Sequence, residues 1–319
     1  APSALFGFAA PRHPFCPQGF DLSPHYFEFP MSARLLLGVF VAVLGVAAVL
    51  AAVIAAGRYR FNAAINEEVS TAFTGATAGD RTIDVAAATQ DLPEPVRNYL
   101  RLALGDRAPA VVAVRLRHGG GFRLKPNAAW MPLQGEEYFT ISPPRYIWHA
   151  TVHMVPGIWF DVRDYYGGGA GGVLARLNST ITIARSSGSE VATSALIRWA
   201  GEAVWFPQAF LDTERFTWQA VGPREAALVI RDNGISARLV LRFAPEGWIE
   251  RITTDDRYLE LDGRQVKRPF VVYCRDWRRV SGVLVPHQAE AVWKLEAGDF
   301  SYARFEIQGI EYNRPERYR

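Results

Sequence analysis

The sequence has little cysteine, little lysine and no internal repeat. Of its 319 residues only two are cysteines, Cys16 and Cys274, and only three are lysines. A single thiol after residue 60 excludes a disulfide framework and a cysteine-based zinc site in that region. Neither a sustained heptad nor a Gly/Pro period is present, which excludes coiled-coil and collagen-like chains. Because 49% of the residues are hydrophobic, the chain can build a sizeable core.

The charges of the chain are nearly balanced, with 35 Lys+Arg against 32 Asp+Glu. Basic residues alternate with acidic ones, as in the segment 251–257, and form no stripe. A nucleic-acid-binding surface concentrates its positive charge. The composition therefore predicts no nucleic-acid partner.

A long apolar run lies near the N-terminus. Residues 35–56 contain no charged or strongly polar side chain, and as a helix they span a hydrocarbon core of roughly 30 Å. The apolar stretch of a cleaved signal peptide is shorter, roughly 7–15 residues, so the run favours an uncleaved, single-pass anchor in the bilayer. Small residues near Ala55 keep cleavage open as the alternative. Arg34 precedes the run while Arg58 and Arg60 follow it, which leaves both orientations open.

The remaining sequence divides by composition. Residues 1–30 are rich in Pro, Phe and His and are interpreted as a disordered leader or as a start assigned upstream of Met31. Residues 31–57 form the predicted transmembrane anchor, 58–90 a juxtamembrane helix and linker, and 91–319 a β-rich domain. Helical spacing inside that last region predicts two helices, one starting at the prolines near residue 93 and one over 194–211.

From residue 111 onward apolar and polar residues alternate with period two, which is typical of half-buried strands. Turn residues such as those at 232–234 and 261–263 separate the runs, as in hairpins. Hairpins join antiparallel strands, so we expect an α+β fold that is mainly antiparallel β: a curved meander, or half-barrel, covered by a few helices. The alternating runs are 112–118, 146–153, 160–165, 227–230, 237–243, 248–252, 268–273, 283–287, 289–293 and 300–307.

All nine tryptophans lie after the apolar run, more than a minimal core needs. Ordinary packing accounts for most of them, and the alternative is an apolar pocket for a lipid or another hydrophobic ligand. We expect Trp148, Trp199 and Trp205 to line such a pocket, with Glu202 and Arg257 as polar contacts. Glu202 is flanked by apolar residues, so a buried carboxylate there needs a partner. Either Arg198 or Arg257 could provide it.

Two other patterns suggest chemistry only weakly. His149 and His153 share one strand face and, with Glu136 or Glu137, could form a metal site, but no His-Glu-x-x-His motif is present and packing is the favoured interpretation. The glycine-rich segment 167–172 lacks the Lys-Ser/Thr of a phosphate-binding loop, so a flexible hairpin or ligand-entrance loop is expected. We predict no catalytic residue, metal or cofactor from these patterns.

Several sequence blocks stand out together: 92–100, 118–123 with Trp130, 161–165, 201–207, 256–258 and 307–313. Over about residues 90–313 they resemble an uncharacterised bacterial family of membrane-anchored proteins, known only as a domain of unknown function. That family is similar in outline to the lipoprotein-carrier (LolA/LolB-like) half-barrel, whose curved sheet and covering helices hold acyl chains. The resemblance implies this fold and no catalytic residues. A permanent anchor departs from a shuttling carrier and suits a tethered binder.

Three hypotheses about function follow. The first is a membrane-tethered protein that binds a lipid or other hydrophobic ligand in an aromatic-lined pocket. The second is a hydrolase of an envelope lipid, which would use Glu202, Asp255 or His149 and would bring two titratable groups together in a cleft. The third is a scaffold that binds another envelope protein through an exposed apolar patch.

Overall fold

The computed structural model describes residues 31–77 and 79–318, and the expected leader, 1–30, lies outside the described residues. Contacts divide the chain into a unit of residues 1–50 and a unit of residues 51–319. A single helix, α1, runs from Met31 to Ala72. Its apolar stretch is long enough to cross a membrane, a criterion that a signal sequence also meets. In the described part of the first unit every residue is helical and the large apolar side chains are exposed.

Short helices and many strands follow α1. The helices are α2 (Val85–Ala88), α3 (Glu94–Leu104) and α4 (Ser189–Glu202), with 3-10 turns at Ala203–Trp205 and Pro207–Leu211. The strands are β1 Thr82–Asp84, β2 Arg107–Pro109, β3 Ala113–Phe122, β4 Met131–Thr140, β5 Arg145–Val155, β6 Ile158–Gly167, β7 Ala170–Leu177, β8 Ile181–Ser187, β9 Phe216–Gly222, β10 Glu225–Asp232, β11 Ile235–Phe243, β12 Ile249–Thr254, β13 Tyr258–Leu261, β14 Arg264–Lys267, β15 Phe270–Val280, β16 Val283–Leu295 and β17 Gly298–Tyr312.

The helix predicted over 194–211 is present, but it begins at Ser189 and ends at Glu202. Helix α4 gives way to 3-10 turns at Ala203. Pro207 explains this end, because a proline ring clashes with the carbonyl four residues before it and lacks the N–H that the helix would need.

Thirteen strands form one antiparallel sheet in the order β8-β7-β6-β5-β4-β3-β17-β16-β15-β12-β11-β10-β9. The last strand, β17, pairs with β3 on one side and β16 on the other, so it joins two meanders into one sheet. The outer strands β8 and β9 do not pair with each other, and the sheet stays open. The predicted class, a mainly antiparallel meander with few helices, is confirmed.

The two arms of this sheet curl toward each other. The Tyr166 hydroxyl on β6 donates a hydrogen bond of 2.6 Å to Asp232 on β10, although many strands separate the two in the sheet. Helix α4 closes the concave side and packs against β7 and β11. A Cβ at Gly171 would lie 2.8 Å from Ala192 Cα and Ala195 Cβ, so only glycine permits this approach. The glycine-rich segment 167–172, expected to be a flexible hairpin or ligand-entrance loop, is the β6–β7 hairpin, with Gly168 and Gly169 in its turn. Gly171, on the β7 side of this hairpin, admits the helix.

Strands β4–β6 are buried on both faces. On β5, Tyr146 and Trp148 point to the concave side and pack in the main core, whereas Ile147 points outward. The outward face is covered by the second part of α1, where Phe61 and Ile65 belong to the same cluster as Ile147. Alternation along one strand therefore supplies two different cores, one under α4 and one under α1.

Candidate functional site

An apolar cavity of ≈ 230 Å³ lies between α4 and the concave face of the sheet. Of the five residues expected to line a pocket, Trp148, Trp205, Glu202 and Arg257 border it. Most of its wall is aliphatic or aromatic, and six residues that form that wall are Phe122, Val162, Val204, Leu239, Ile252 and Phe305. Strands from both arms of the sheet contribute, so the curl of the sheet creates the space.

Trp199, the fifth residue expected in the pocket, lies outside it. Its side chain is fully buried, its Nε1 donates to the Thr140 carbonyl at 3.2 Å, and its ring stacks on Phe216 with centroids 6.0 Å apart. The α-helical period explains the difference, because Trp199 points about 100° away from Arg198. The face that borders the cavity carries Arg198 and Glu202, one step around the helix from the packing face.

A buried ion cluster occupies one side of the cavity. The Arg198 guanidinium on α4 binds three carboxylates: Nε to Glu202 at 2.8 Å, Nη1 to Asp164 at 2.8 Å and Nη2 to Glu137 at 2.9 Å. Glu137 lies on β4 and Asp164 on β6, so one cation links the helix to two strands. Of the two partners that the sequence allowed for Glu202, the structure selects Arg198.

Strand register brings the cluster together. Glu137 and Trp148 are direct cross-strand neighbours, and so are Trp148 and Asp164. The Arg198 guanidinium lies 4.6 Å from the Trp148 ring centroid and 5.1 Å from that of Tyr146, within cation–π distance. The Tyr146 hydroxyl donates to Asp164 at 2.8 Å. Aromatic rings thus shield a charge cluster that would be costly to bury alone.

The cluster holds more acid than base. Burial raises the pKa of Glu137 well above its usual value, although Arg198 opposes the shift, and burial likewise raises the pKa of Glu202. Burial by itself would lower the pKa of Arg198, but its three carboxylate partners raise it. The arginine therefore stays charged and the Glu137–Glu202 pair retains a proton at higher pH than a solvated pair would. Glu202 Oε2 is buried without a hydrogen-bond partner among the described residues.

A buried histidine supports Trp148 from the other side. Trp148 Nε1 donates to His118 Nε2 at 2.8 Å, and His118 Nδ1 lies 3.3 Å from the Gly119 carbonyl, so the ring is neutral with its proton on Nδ1. Burial lowers the pKa of His118 to about 3, and Arg198 adds to the shift. A Cβ on Gly135 would collide with this imidazole, so glycine is needed beneath it.

A polar groove meets the cavity at its opening. The groove, ≈ 520 Å³, lies between α4, β8 and the β13–β14 hairpin, and it shares Asp164, Arg198 and Arg257 with the cavity. The Arg257 guanidinium lies 4.1 Å from the Phe270 ring and 5.4 Å from the Trp293 ring, and it donates to the Tyr302 hydroxyl at 3.3 Å. No carboxylate among residues 31–77 and 79–318 is ion-paired with it, unlike Arg198.

The other candidate residues lie elsewhere. His149 points to the outer face, where its ring packs on Phe61, and His153 is exposed. Asp255 is exposed too. Within the described chain no group of three or more His, Cys, Asp or Glu side chains could hold a metal ion. Cys274 borders the cavity, but burial raises the pKa of its thiol to about 12, which keeps it protonated at neutral pH.

Comparison with protein families shows to which family the chain belongs. Residues 83–305 match a family of unknown function (DUF6544). The protein belongs to this family. The matched part holds every residue that borders the cavity, and the predicted membership in a family of unknown function is confirmed.

Some solved structures have a similar course of the backbone but low sequence identity to this chain. A DUF1329 family protein from Desulfovibrio piger is 11% identical with a TM-score of 0.40, covering 73% of this chain and 95% of that chain. A LolA superfamily protein from Nitrosomonas europaea is 9% identical with a TM-score of 0.33, covering 68% and 91%. No curated protein gives a significant match. These likenesses say nothing about what the present chain binds.

Replacing Arg198 tests the ion cluster. We expect Arg198→Met to lower the free energy of unfolding by about 3–5 kcal/mol, because it leaves buried carboxylates without a cation. Adding Glu137→Gln should restore part of the loss. As a control, Arg163→Met removes the half-buried pair with Glu68 on the outer face and should cost about 1 kcal/mol or less. Chemical unfolding of the full chain measures all four proteins. Equal losses for Arg198→Met and Arg163→Met would contradict the account.

His118 predicts a pH dependence. Its pKa is about 3 in the folded protein against 6.5 when unperturbed, so only the unfolded state takes up the proton between those values. The stability from neutral burial is therefore complete above pH 6.5 and is lost as the pH falls toward 3. In His118→Gln the drop in unfolding free energy from pH 7 to pH 4 should be smaller than in the native chain. His153→Gln, at an exposed position, should leave the drop unchanged, and a native-like drop in His118→Gln would refute the assignment.

Proposed function

We propose that the protein is a membrane-tethered binding protein that holds a lipid or another hydrophobic ligand in the cavity under α4. The observation that carries the proposal is an unfilled apolar space inside a core that is otherwise densely packed with aromatic side chains. Protein interiors rarely leave such voids, and an apolar cavity with a few polar groups at its opening is the usual form of a small-ligand site.

Trp148 and Trp205 form part of the cavity wall. Trp205 is held by a hydrogen bond of 3.1 Å from its Nε1 to the Pro286 carbonyl, and Trp148 by its bond to His118. Both indole N–H groups are thus satisfied inside the protein, so neither ring requires a polar contact from a ligand. A hydrocarbon chain is the ligand chemistry that such surfaces suit.

The polar groups at the opening suit the head of an amphiphile. Arg257, where the groove meets the cavity, carries a positive charge with no carboxylate partner among the described residues, and Glu202 borders the cavity itself. A ligand whose polar end reaches this border would pair with one or both, while its tail enters the apolar space. The cavity volume of ≈ 230 Å³ is below the usual range for drug-sized ligands, which favours one short chain over a bulky two-chain lipid.

The anchor is the second part of the proposal. Residues 35–56 lie in the exposed part of α1 and have the length of a membrane span. An uncleaved helix would keep the binding domain at the bilayer, where amphiphiles concentrate. A tethered binder needs no release from the membrane, in contrast to a shuttling carrier.

The hydrolase hypothesis receives less support from the geometry. Its candidates are dispersed, with Glu202 at the cavity, Asp255 exposed to solvent and His149 on the opposite face of the sheet. A general acid and base must reach the same substrate atoms.

Filling the cavity tests the binding function. Ala289 on β16 borders the space, and Ala289→Phe would place a ring inside it. We expect the affinity for the neutral fluorescent probe N-phenyl-1-naphthylamine to fall about tenfold or more, or about 1.4 kcal/mol, with thermal stability nearly unchanged because the ring enters empty space. Ala170→Phe, at an exposed position, is the matched control. Probe fluorescence is titrated in the full chain in nanodiscs, with dodecanoic acid as competitor. Unchanged probe binding in Ala289→Phe, or no binding by the native chain, would overturn the proposal.

A further inference from the structure

Exposed apolar side chains gather at one end of strands β3–β8. Leu124, in the β3–β4 connection, is 62% exposed, and Met154 and Val155, at the end of β5, are 45% and 55% exposed. Ile158, at the start of β6, is 43% exposed, and Ile181, at the start of β8, is 62% exposed. We call these five residues the apolar rim. They account for most of the large exposed apolar side chains described outside the N-terminal helix. Clusters of this kind on a soluble surface mark a contact site.

The segments that carry the apolar rim, 123–130, 153–158 and 178–184, contain charged residues of one sign. They have no Asp or Glu, while Arg123 and Lys125 are cationic. A surface that is apolar at its tips and free of acidic residues suits an anionic phospholipid layer better than a basic protein partner.

Helix α1 reaches the domain at this same end. Gly57 packs so closely on the β7–β8 turn that a Cβ there would collide with Thr180. The next residue, Arg58, holds its guanidinium 5.8 Å from the ring of Trp159, which follows the rim residue Ile158. Arginine and tryptophan are the side chains that sit where a membrane span enters the headgroup layer.

Beyond Arg58 the helix runs along the outer face toward the other strand ends. Phe61 contacts His149 in the middle of β5, and Phe73 contacts Tyr138 near the far end of β4. The apolar residues 51–56 therefore run up to Gly57, which contacts the β7–β8 turn beside the rim residue Ile181.

We infer that the apolar rim is a second membrane contact, inserted among the headgroups of the bilayer that α1 crosses. This inference rests on the proposed anchor and is independent of ligand binding. The occupant is the lipid surface itself, because the apolar residues 51–56 lead directly to Gly57 and to the Arg58–Trp159 pair beside the rim. Phe122, which borders the cavity, lies two residues before Leu124 of the rim, so the contact would hold the end of β3 next to the lipid phase.

Site-specific quenching tests the contact in the full chain. A Val155→Cys variant and a Ser142→Cys control are made in a Cys16→Ser background and labelled with bimane, while the buried Cys274 stays unlabelled. Ser142 is exposed at the opposite end of β5, about 33 Å away at roughly 3.3 Å per residue. Both proteins are reconstituted in vesicles of phosphatidylcholine and phosphatidylglycerol, with a nitroxide near the glycerol end of the acyl chain. Leu124→Cys serves as a second rim position if Val155→Cys does not fold.

The rim label should lose roughly half of its fluorescence, because interfacial side chains lie about 5–10 Å into the headgroup and acyl boundary, and the Ser142→Cys label should be unaffected. Equal quenching at both positions, or stronger quenching at Ser142→Cys, overturns the inference and leaves the anchor in place. Release of the chain by an alkaline wash overturns the anchor and, with it, this inference. Loss of probe binding in the cavity would affect neither result.

Discussion

The guanidinium of Arg198 holds the concave side of the sheet together. It joins α4, β4 and β6 through ion pairs with Glu202, Glu137 and Asp164. Taking these charges out of water is costly, and their mutual attraction offsets that cost only in this geometry. The cluster therefore fixes the position of α4 over the sheet, which purely apolar packing would leave freer to slide.

The cavity follows from that position. Helix α4 is fixed by its ion cluster and packs closely on Gly171 of β7. The side of the helix that borders the cavity includes the small residue Gly201 and the polar residue Glu202. Opposite them β16 contributes only alanines, Ala289 and Ala291. Small side chains on both walls leave space that the surrounding aromatics cannot reach. The same anchoring that rigidifies the domain thus preserves an apolar void at its centre.

Sequence patterns reveal the strands better than the site. The alternation of apolar and polar residues identifies β3, β5, β6 and β11. It does not identify β4, which Pro132 and Gly135 interrupt, or β7, which is rich in glycine. The apolar neighbours of Glu202 predict a buried carboxylate. Arg198, four residues earlier, could be predicted as its partner because it lies on the same helical face. Glu137 and Asp164 could not be predicted as further partners of Arg198. Strand register and sheet curvature bring them together, and the local sequence determines neither. Trp199 was expected to line the cavity but lies one helical step away from the face of α4 that borders it. The sequence does not show which face of the helix meets the cavity.

The account depends on the space under α4 accepting a hydrocarbon chain. Crystals of the full chain grown with 12-bromododecanoic acid would show this directly through the anomalous scattering of bromine. A peak inside the cavity, in contact with Val204 and Ala289 and with the carboxylate toward Arg257, is the result the account predicts. A cavity without bromine, in crystals where the same compound binds elsewhere, would contradict it.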